Sequence, residues 1–593
     1  MKRVTTPDPA AREAAVEEFS QAHDFDPKDP MFGLHRHDLA GPQLERRTVL
    51  RLLAASGLIT AAHLLPGAGV RPAAAAAGGT LRAGWSGVGE FRTLDPAQIN
   101  QVLLFQIASN VLSGLTHINT QLVAEGDLAV DWTPNDDGTE WTFNLREGVT
   151  FHNGDAFTAD DVIFTYQRSK DPEKSIHSRV IANIADIEKL GDHKIKMTLK
   201  APQASLFVKT LERSSGRAMT IVSRGGLEQL GGPQYGLTPV GTGPFRVTDH
   251  SLGQAITLER FEGYYDSDRP KLDKVVIQPI IDPEPLAAAI EAGDIQIIGG
   301  NPIAPELIDR FEANGDLVVN EVPAPGFQSV WMNPHRDPYK VADFNKPLDE
   351  LMKEPGFKVR LALAKAIDRE LYIKQAHFGR ATPGYGTINP AMEYFFDPNL
   401  GSTSNQSFDV EAARQLLAEG GYPDGEGFPK LKILHTPSTR RDCQVIKAIL
   451  KQNLNIDIEL DTKDFPVLID EFDRMEWDLV RLGSGGDFDP DDGLVDWMQT
   501  ASKFNGRERD KEKYAFGFFS DSEVDDLIQQ QAVTADPKAR RDLVQKANRI
   551  TSDKVASAFI YHPSDVLVHR KEVNFPVESR IPGLVDLDRT TLA

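Results

Sequence analysis

The residues with the clearest chemical potential form an acidic loop near position 490. Residues 477–482 form a predicted strand, which runs into the loop sequence Gly-Ser-Gly-Gly-Asp-Phe-Asp-Pro at positions 483–490. In open α/β sheets, ligands bind in the loops beyond the carboxyl ends of the strands. Because carboxylates in such a loop could pair with a cationic group, we expect this segment to contribute to a binding site.

A calcium site is one alternative for the acidic loop. Asp487, Asp489 and Asp491 alternate as the ligands of an EF-hand loop do. The pattern then fails, because the glycine falls one position late, a proline stiffens the loop, and Met498 stands where a bidentate Glu is needed. A second alternative is structural, with Asp487 forming an Asx-turn in a solvated loop.

Other chemical sites are not indicated by the sequence. The 14 histidines are scattered, and the single cysteine, Cys443, lies in an apolar helical pattern, so neither a soft-metal cluster nor a disulfide framework is expected. Motifs of a serine hydrolase elbow, a zinc-protease helix and a phosphate-binding loop are absent from the sequence. We therefore predict no catalytic residues, no metal and no cofactor.

The composition narrows the class of partner. The chain has 593 residues, 40% of them hydrophobic, so it can bury substantial cores. Lys and Arg number 65 against 87 Asp and Glu, a net charge of −22. Nucleic acid is therefore not expected as a partner, because phosphate backbones are bound by basic surfaces.

The N-terminal segment has the pattern of an export signal. Arg46 and Arg47 precede an apolar run over residues 52–62, which is shorter than the roughly 20 residues that span a bilayer. An alanine tract ends at Ala77, so we expect a disordered leader and a signal peptide over 1–77, cleaved near that residue. The paired arginines resemble a twin-arginine (Tat) signal, the alternative being the start of an ordinary amphipathic helix. With no cysteine directly following the apolar run, we expect a periplasmic protein without a lipid anchor.

Strand and helix patterns alternate through the rest of the chain, which predicts a mixed α/β fold. The turn at 135–138 followed by the alternating residues 141–145 predicts a hairpin. Thr158 is placed to cap a helix over 159–169, and Gly293 to end one over 283–292. Further helices are expected over 103–115, 359–373, 410–419 and 441–453, with strands at 80–85, 328–333, 430–435 and 456–461.

Several sequence blocks, taken in order, resemble the family 5 extracellular solute-binding proteins of ABC importers. The strongest block contains D-G-T at 137–139, W-T-F-N-L-R-E-G-V-T-F-H-N-G at 141–154 and T-A-D-D-V at 158–162. The others are L-D-P at 94–96, V-G-T-G-P-F at 240–245, V-R-L-A-L-A-K-A-I-D-R at 359–369, and F-D, A-A-R-Q-L-L and G-Y between 408 and 422. The resemblance covers most of residues 80–590.

The resemblance implies a two-lobed periplasmic-binding-protein fold, a Venus-flytrap clamp with an extra subdomain on its first lobe. The implied boundaries are 80–117, 233–321 and 555–593 for the first lobe, 118–232 for the extra subdomain and 322–554 for the second lobe. Closure of the lobes on a ligand would create the surface that the membrane permease binds. The implied function is capture of a peptide or peptide-like amine by a monomeric binding protein that works with ABC permease subunits.

The resemblance also suggests ligand-binding residues. A carboxylate in the loop after a second-lobe strand receives the ligand's ammonium group in peptide-binding members, and Asp487 matches that position, since a buried ammonium needs a charged partner. Gly485 could add its carbonyl oxygen, and Phe488 could form a wall of the pocket. The remaining candidates are aromatic or amide side chains near the expected cleft: Trp85, Trp331, Asn333 and Tyr385.

Two other functions remain open at this stage. A secreted two-lobed hydrolase would turn its ligand over, whereas a binding protein returns it unchanged. An accessory or chemosensory protein would keep the clamp fold without import, and it would be distinguished by a stable complex with a sensor or a nascent protein.

Overall fold

The computed structural model describes residues 78–593 except for 87–88, 100–101, 120–123, 179, 214–218, 301–302, 486–487, 503, 506–512, 535, 577–584 and 586. The predicted leader and signal peptide over 1–77 therefore lie outside the described residues. Residues 77–593 belong to one compact unit. Within the described part of the chain, every helix is too short or too polar to cross a bilayer.

The described secondary structure comprises twenty strands, sixteen α-helices and four short 3₁₀ or π segments. The strands are β1 (Thr80–Ser86), β2 (Thr116–Ile118), β3 (Ala124–Gly126), β4 (Ala129–Pro134), β5 (Glu140–Leu145), β6 (Ile184–Gly191), β7 (Lys194–Leu199), β8 (Phe245–Ser251), β9 (Ala255–Arg260), β10 (Lys274–Pro279), β11 (Ile297–Gly300), β12 (Leu317–Pro323), β13 (Phe327–Met332), β14 (Ala381–Pro383), β15 (Leu431–His435), β16 (Ile458–Thr462), β17 (Leu479–Ser484), β18 (Ala558–Arg570), β19 (Val573–Asn574) and β20 (Thr591–Leu592). The helices are α1 (Val102–Ala108), α2 (Ala159–Lys170), α3 (Arg224–Leu230), α4 (Gly232–Leu237), α5 (Pro283–Ala292), α6 (Pro305–Ala313), α7 (Leu348–Leu351), α8 (Pro355–Lys365), α9 (Arg369–His377), α10 (Leu400–Thr403), α11 (Val410–Glu419), α12 (Arg440–Leu454), α13 (Phe465–Asp473), α14 (Asp491–Gly493), α15 (Ser522–Val533) and α16 (Pro537–Asp553).

The largest sheet is mixed, with both parallel and antiparallel pairs of strands. Its order is β16-β15-β17-β13-β18-β11-β1-β10-β9-β8, and β12 and β14 also pair with β18. Strands β15, β16 and β17 run parallel, so the strands predicted at 430–435 and 456–461 form a βαβ unit with α12 at one side of the sheet. Strand β13 runs antiparallel to β17, so the second-lobe strands extend to the centre of the sheet.

Strand β18 crosses from one lobe to the other. Its first residues pair with β13 of the second lobe, with Ala558 opposite Val330. Its later residues pair with β12 and β11 of the first lobe. The predicted boundary at 555 lies just before this strand, which pairs with the expected second-lobe strand before it reaches the strands of the expected first lobe. We call the two crossing segments, 323–326 and 562–564, the hinge; the Ala324 N–H donates to the Pro563 carbonyl oxygen over 2.9 Å and ties them together.

The extra subdomain is built around a sheet of order β4-β5-β7-β6. The predicted hairpin is confirmed, since β4 and β5 pair antiparallel with Thr133 opposite Thr142. The predicted cap is confirmed as well, because the Thr158 hydroxyl accepts the Asp160 N–H and the Asp161 carboxylate accepts the Thr158 N–H. The apolar sides of this sheet and of α2 pack in a core of their own.

One predicted helix is two helices in the structure. The periodic stretch 359–373 divides into α8 and α9 at Asp368, whose carboxylate accepts the Leu371 N–H over 3.0 Å. The apolar period continues across the break, so periodicity alone did not reveal it. The helix predicted over 103–115 is shorter than expected: α1 ends at Ala108.

Candidate functional site

The acidic loop begins at the hinge. Ser484 ends β17, and its carbonyl oxygen accepts the Gln328 amide over 3.2 Å. Gly326, in the link between β12 and β13, has φ +119°, and a Cβ there would lie 2.5 Å from the Ser484 oxygen. Only glycine fits where these two backbones approach. The loop that follows β17 is thus fixed at its start to the chain that joins the lobes.

The central residues of the loop, Gly486 and Asp487, lie outside the described residues. Gly485 is exposed, and a Cβ there would meet no atom within 4 Å. Phe488 is buried and packs with Ile118 and Val208 of the extra subdomain. The described neighbours of Asp487 therefore lie beside the hinge and at the contact between the second lobe and the extra subdomain.

The other two acids of the loop are already paired. Both Asp489 carboxylate oxygens accept from the Arg540 guanidinium, over 2.7 and 3.0 Å. Asp491 accepts the Gln531 amide over 2.6 Å and lies 3.8 Å from Arg540. Burial by itself would lower the pKa of Arg540, but the adjacent Asp489 outweighs burial and raises it. These acids serve an internal ion pair, and no group of three or more metal-ligating side chains occurs among the described residues.

A second buried ion pair, which the sequence analysis did not single out, lies on β17. Arg481 donates to the Asp442 carboxylate over 2.6 and 2.9 Å, to Gln328 over 2.6 Å and to the Tyr561 hydroxyl over 2.9 Å. Burial disfavours the Asp442 carboxylate, but the charge of Arg481 prevails and lowers the pKa of that carboxyl well below its usual value. The sequence signal for this ion pair was Arg481, a charged residue in the middle of an otherwise apolar strand.

A recess of about 500 Å³ opens at the carboxyl ends of β15 and β17. The hydroxyl-bearing turn at 436–439 lines one side, and Arg481 and Gly483 line another. Phe465, exposed on 57% of its surface, lies at its edge. Ligands of α/β sheets bind at such strand ends, so this recess supplies hydroxyl and amide groups next to the acidic loop.

An apolar cavity of about 430 Å³ is lined in part by Phe488. Its walls come from the extra subdomain and from the second lobe. The main contributors are Trp132, Trp141, Phe207, Tyr394, Phe395 and Val533. Of the residues that line the cavity, only Phe488 was predicted from the sequence to contact a ligand, because the walls are brought together from segments far apart in the chain.

Trp331 and Asn333 lie in the core of the second lobe, away from any cleft surface. Trp331 has no exposed surface, donates its indole N–H to the Leu482 carbonyl over 2.9 Å and stacks on Trp497 with ring centroids 5.2 Å apart. Asn333 is also fully buried, and its amide donates to the carbonyls of Met475 and Trp477. Their placement favours a role in the core over contact with a ligand, because packing and backbone hydrogen bonds use both side chains.

Trp85 and Tyr385 are placed differently from the expectation too. Trp85 was expected near the cleft rim, but it is fully buried in the first-lobe core and donates to the Leu103 carbonyl. Tyr385 is half-buried and packs on the Arg369 guanidinium, 4.3 Å from the ring centroid. Its loop is anchored, because the Gly384 N–H donates to Ile560 of β18.

The chain matches the family model of bacterial extracellular solute-binding proteins, family 5, over residues 124–506. It is 28% identical to the glutathione-binding protein GsiB of Escherichia coli strain K12 over 466 residues, which is 78% of this chain and 85% of that protein. Among solved structures, HbpA2 from Haemophilus parasuis aligns with a TM-score of 0.72 at 22% identity, over 87% of this chain and 100% of that one.

A further solved structure is the ABC transporter-associated periplasmic binding protein DppA from Helicobacter pylori in complex with the peptide STSA. It aligns with a TM-score of 0.64 at 24% identity, over 87% of this chain and 98% of that one. These likenesses confirm the predicted two-lobed periplasmic-binding-protein fold. Given the extent of the family match, the chain belongs to the bacterial extracellular solute-binding proteins of family 5.

Proposed function

We propose that this protein captures a peptide or a peptide-like amine between its lobes and delivers it to the permease of an ABC importer. The relative named for glutathione binding and the similar structure that holds a peptide support this ligand class. Family membership supports the role in import. The protein would return its ligand unchanged and act as a monomer.

The observation that carries the proposal is the position of the acidic loop. Gly485 lies at the hinge, and Phe488 lies where the second lobe touches the extra subdomain. We propose that Asp487, between them in sequence, accepts the ligand's ammonium group. Because Asp489 is held by Arg540, it does not compete for that role. The Gly485 carbonyl would be a second acceptor.

We also propose where the protein works. The paired arginines and the alanine tract support export through the twin-arginine route and removal of residues 1–77. The lack of a cysteine directly following the apolar run supports a periplasmic protein without a lipid anchor. Purification of the mature protein from the periplasmic fraction, with its N-terminus sequenced, would test this, and an N-terminus upstream of residue 60 would contradict it.

The ligand class is tested first by native mass spectrometry of the purified mature protein, before and after denaturing release. A released peptide or amine of unchanged mass would support the proposal. A ligand that the protein converts into a product would instead support the hydrolase alternative. A cleft that retains nothing and responds to no peptide, amine or sugar would contradict capture of small solutes.

The role of Asp487 is tested by calorimetric titration with free and N-acetylated forms of one peptide. The Asp487→Asn variant should bind the free peptide more weakly by about 2–5 kcal/mol, because it leaves a buried ammonium unpaired. It should bind the acetylated peptide about as well as the parent protein does. Asp268→Asn, on an exposed side chain, is the matched control. An equal effect of Asp487→Asn on both peptides would show that the anchor lies elsewhere.

A further inference from the structure

The cavity between the extra subdomain and the second lobe has walls of aromatic rings. Trp132 stacks on Phe207 with ring centroids 4.9 Å apart, and Trp141 meets Phe207 edge-on at 4.7 Å. All three side chains are only half-buried, so protein atoms do not cover their outer faces completely. The indole N–H of Trp141 already donates to the Gly138 carbonyl over 3.1 Å, which leaves carbon surface towards the cavity.

The opposite wall, from the second lobe, is apolar as well. Val533 and Tyr394 line the cavity with 56% and 40% of their surfaces exposed. Exposed apolar side chains that cluster in one concave place are typical of a ligand site. The volume of about 430 Å³ lies in the range of small-molecule pockets.

The charges around the cavity limit its occupant. Among the described lining residues, only Asp489 and Arg540 are ionised, and they pair with each other over 2.7 and 3.0 Å. No unpaired cation of this lining is therefore available to a carboxylate. A carboxylate is therefore disfavoured as the occupant, and an uncharged aromatic ring suits this wall, because aromatic rings pack favourably on one another.

The position of the cavity connects it to the ligand. Phe488 lines the cavity and directly follows Asp487 in the chain. We infer that the cavity holds an uncharged aromatic side chain close to the amino terminus of the captured peptide, an inference that rests on the proposed function. Peptides with Phe or Trp at the first or second position are then the favoured ligands.

An occupant of the cavity would contact both the extra subdomain and the second lobe. The direct polar contacts near the cavity are modest: the Ala204 N–H donates to Ala532 over 2.7 Å, and Lys209 lies 3.9 Å from Asp496. A ring packed between Trp132 and Val533 adds apolar contact to both walls, so a bound aromatic peptide should stabilise this arrangement more than a bound alanine peptide does.

The test uses calorimetric titration of the mature protein with two tripeptides, Phe-Ala-Ala and Ala-Ala-Ala. The parent protein should bind the first at least tenfold more tightly. In Trp132→Ala and in Val533→Trp, which fills the cavity from an exposed position, this preference should fall below threefold. Affinity for the alanine peptide should change less than twofold. Val130→Ala, at an exposed position of the same strand, is the control and should keep the preference.

The outcomes separate the two claims. If neither tripeptide binds the parent protein, and none of a panel of free-amine peptides does, the proposed function fails and the inference fails with it. If peptides bind but Phe and Ala are not distinguished, or if the preference survives in both cavity variants, the inference is overturned while peptide capture stands. Because Val533→Trp alters an exposed residue, it keeps the test valid should Trp132→Ala fold poorly.

Discussion

Replacing Asp442 by Asn removes a buried negative charge while keeping the volume of the side chain. Arg481 is only 3% exposed, and in the variant it would keep neutral partners, the Gln328 amide oxygen and the Tyr561 hydroxyl, but no counter-ion of its own. Breaking a buried ion pair from one side costs about 3–5 kcal/mol. We therefore expect Asp442→Asn to lower the free energy of unfolding by that amount at pH 7.

The assay is urea and thermal unfolding followed by tryptophan fluorescence and by circular dichroism. If the second lobe unfolds as one unit, the thermal midpoint should fall by about 10 °C. Asp470→Asn, which breaks the exposed pair with Arg474 on α13, is the matched control and should cost less than about 1 kcal/mol. Equal shifts in the two variants would refute the argument that burial makes the Asp442 pair strong.

The same pair makes a prediction about acid stability. Because the pKa of Asp442 is lowered in the folded protein, its stabilising contribution is present above about pH 4 and is lost as the pH falls towards the folded pKa. Asp442→Asn lacks this acid-sensitive contribution. The difference in stability between variant and parent should therefore shrink below pH 4, and a difference that stays constant would contradict the assignment.

Two further predictions concern other polar and backbone features. Burial lowers the pKa of His152 to about 4, and the neutral ring accepts the Gly241 N–H and bonds the Gly243 carbonyl. The stability that neutral His152 contributes to the fold is therefore present above pH 6.5 and is lost as the pH falls towards 4. In thermal melts, His152→Gln should lose less stability in acid than the parent protein, and an unchanged loss would contradict this. Gly326→Ala should lower the free energy of unfolding in urea by about 1–3 kcal/mol, because Gly326 has a φ of +119° and lies against Ser484. Gly315→Ala, where the new methyl group would meet open space, should not destabilise the protein. Equal losses of stability in the two variants would contradict the hinge argument.

The parts of the fold that could be predicted are those set by nearby residues. The hairpin of β4 and β5, the Thr158 cap and the end of α5 at Gly293 follow from turn and cap chemistry within a few residues. The break at Asp368 could not be predicted from periodicity, since the apolar pattern runs through it. The switch of β18 between lobes depends on pairing with strands more than 200 residues away.

The candidate site was predictable only at the level of its loop. The strand-end position and the glycine-rich sequence pointed to residues 483–490, but not to the fact that Asp489 is held by Arg540, 51 residues away. Trp85 and Trp331 were candidates because of their residue type, and distant packing partners decided that they are buried. The wall formed by Trp132 and Val533 joins segments about 400 residues apart, so no local pattern could indicate it.

Strand β18 also sets the order in which the molecule can be completed. The strands of both lobes lack their shared partner β18 until residues 558–570 have left the ribosome. Asn110, in the first part of the chain, likewise cannot form its hydrogen bonds with Val585 and Leu587 before then. Pairings so remote in sequence form slowly, because a long loop must close before they contribute. Synthesis from the N-terminus therefore cannot finish either lobe early, and folding is completed only when the whole chain is available. A truncation of the last forty residues would consequently damage both lobes at once.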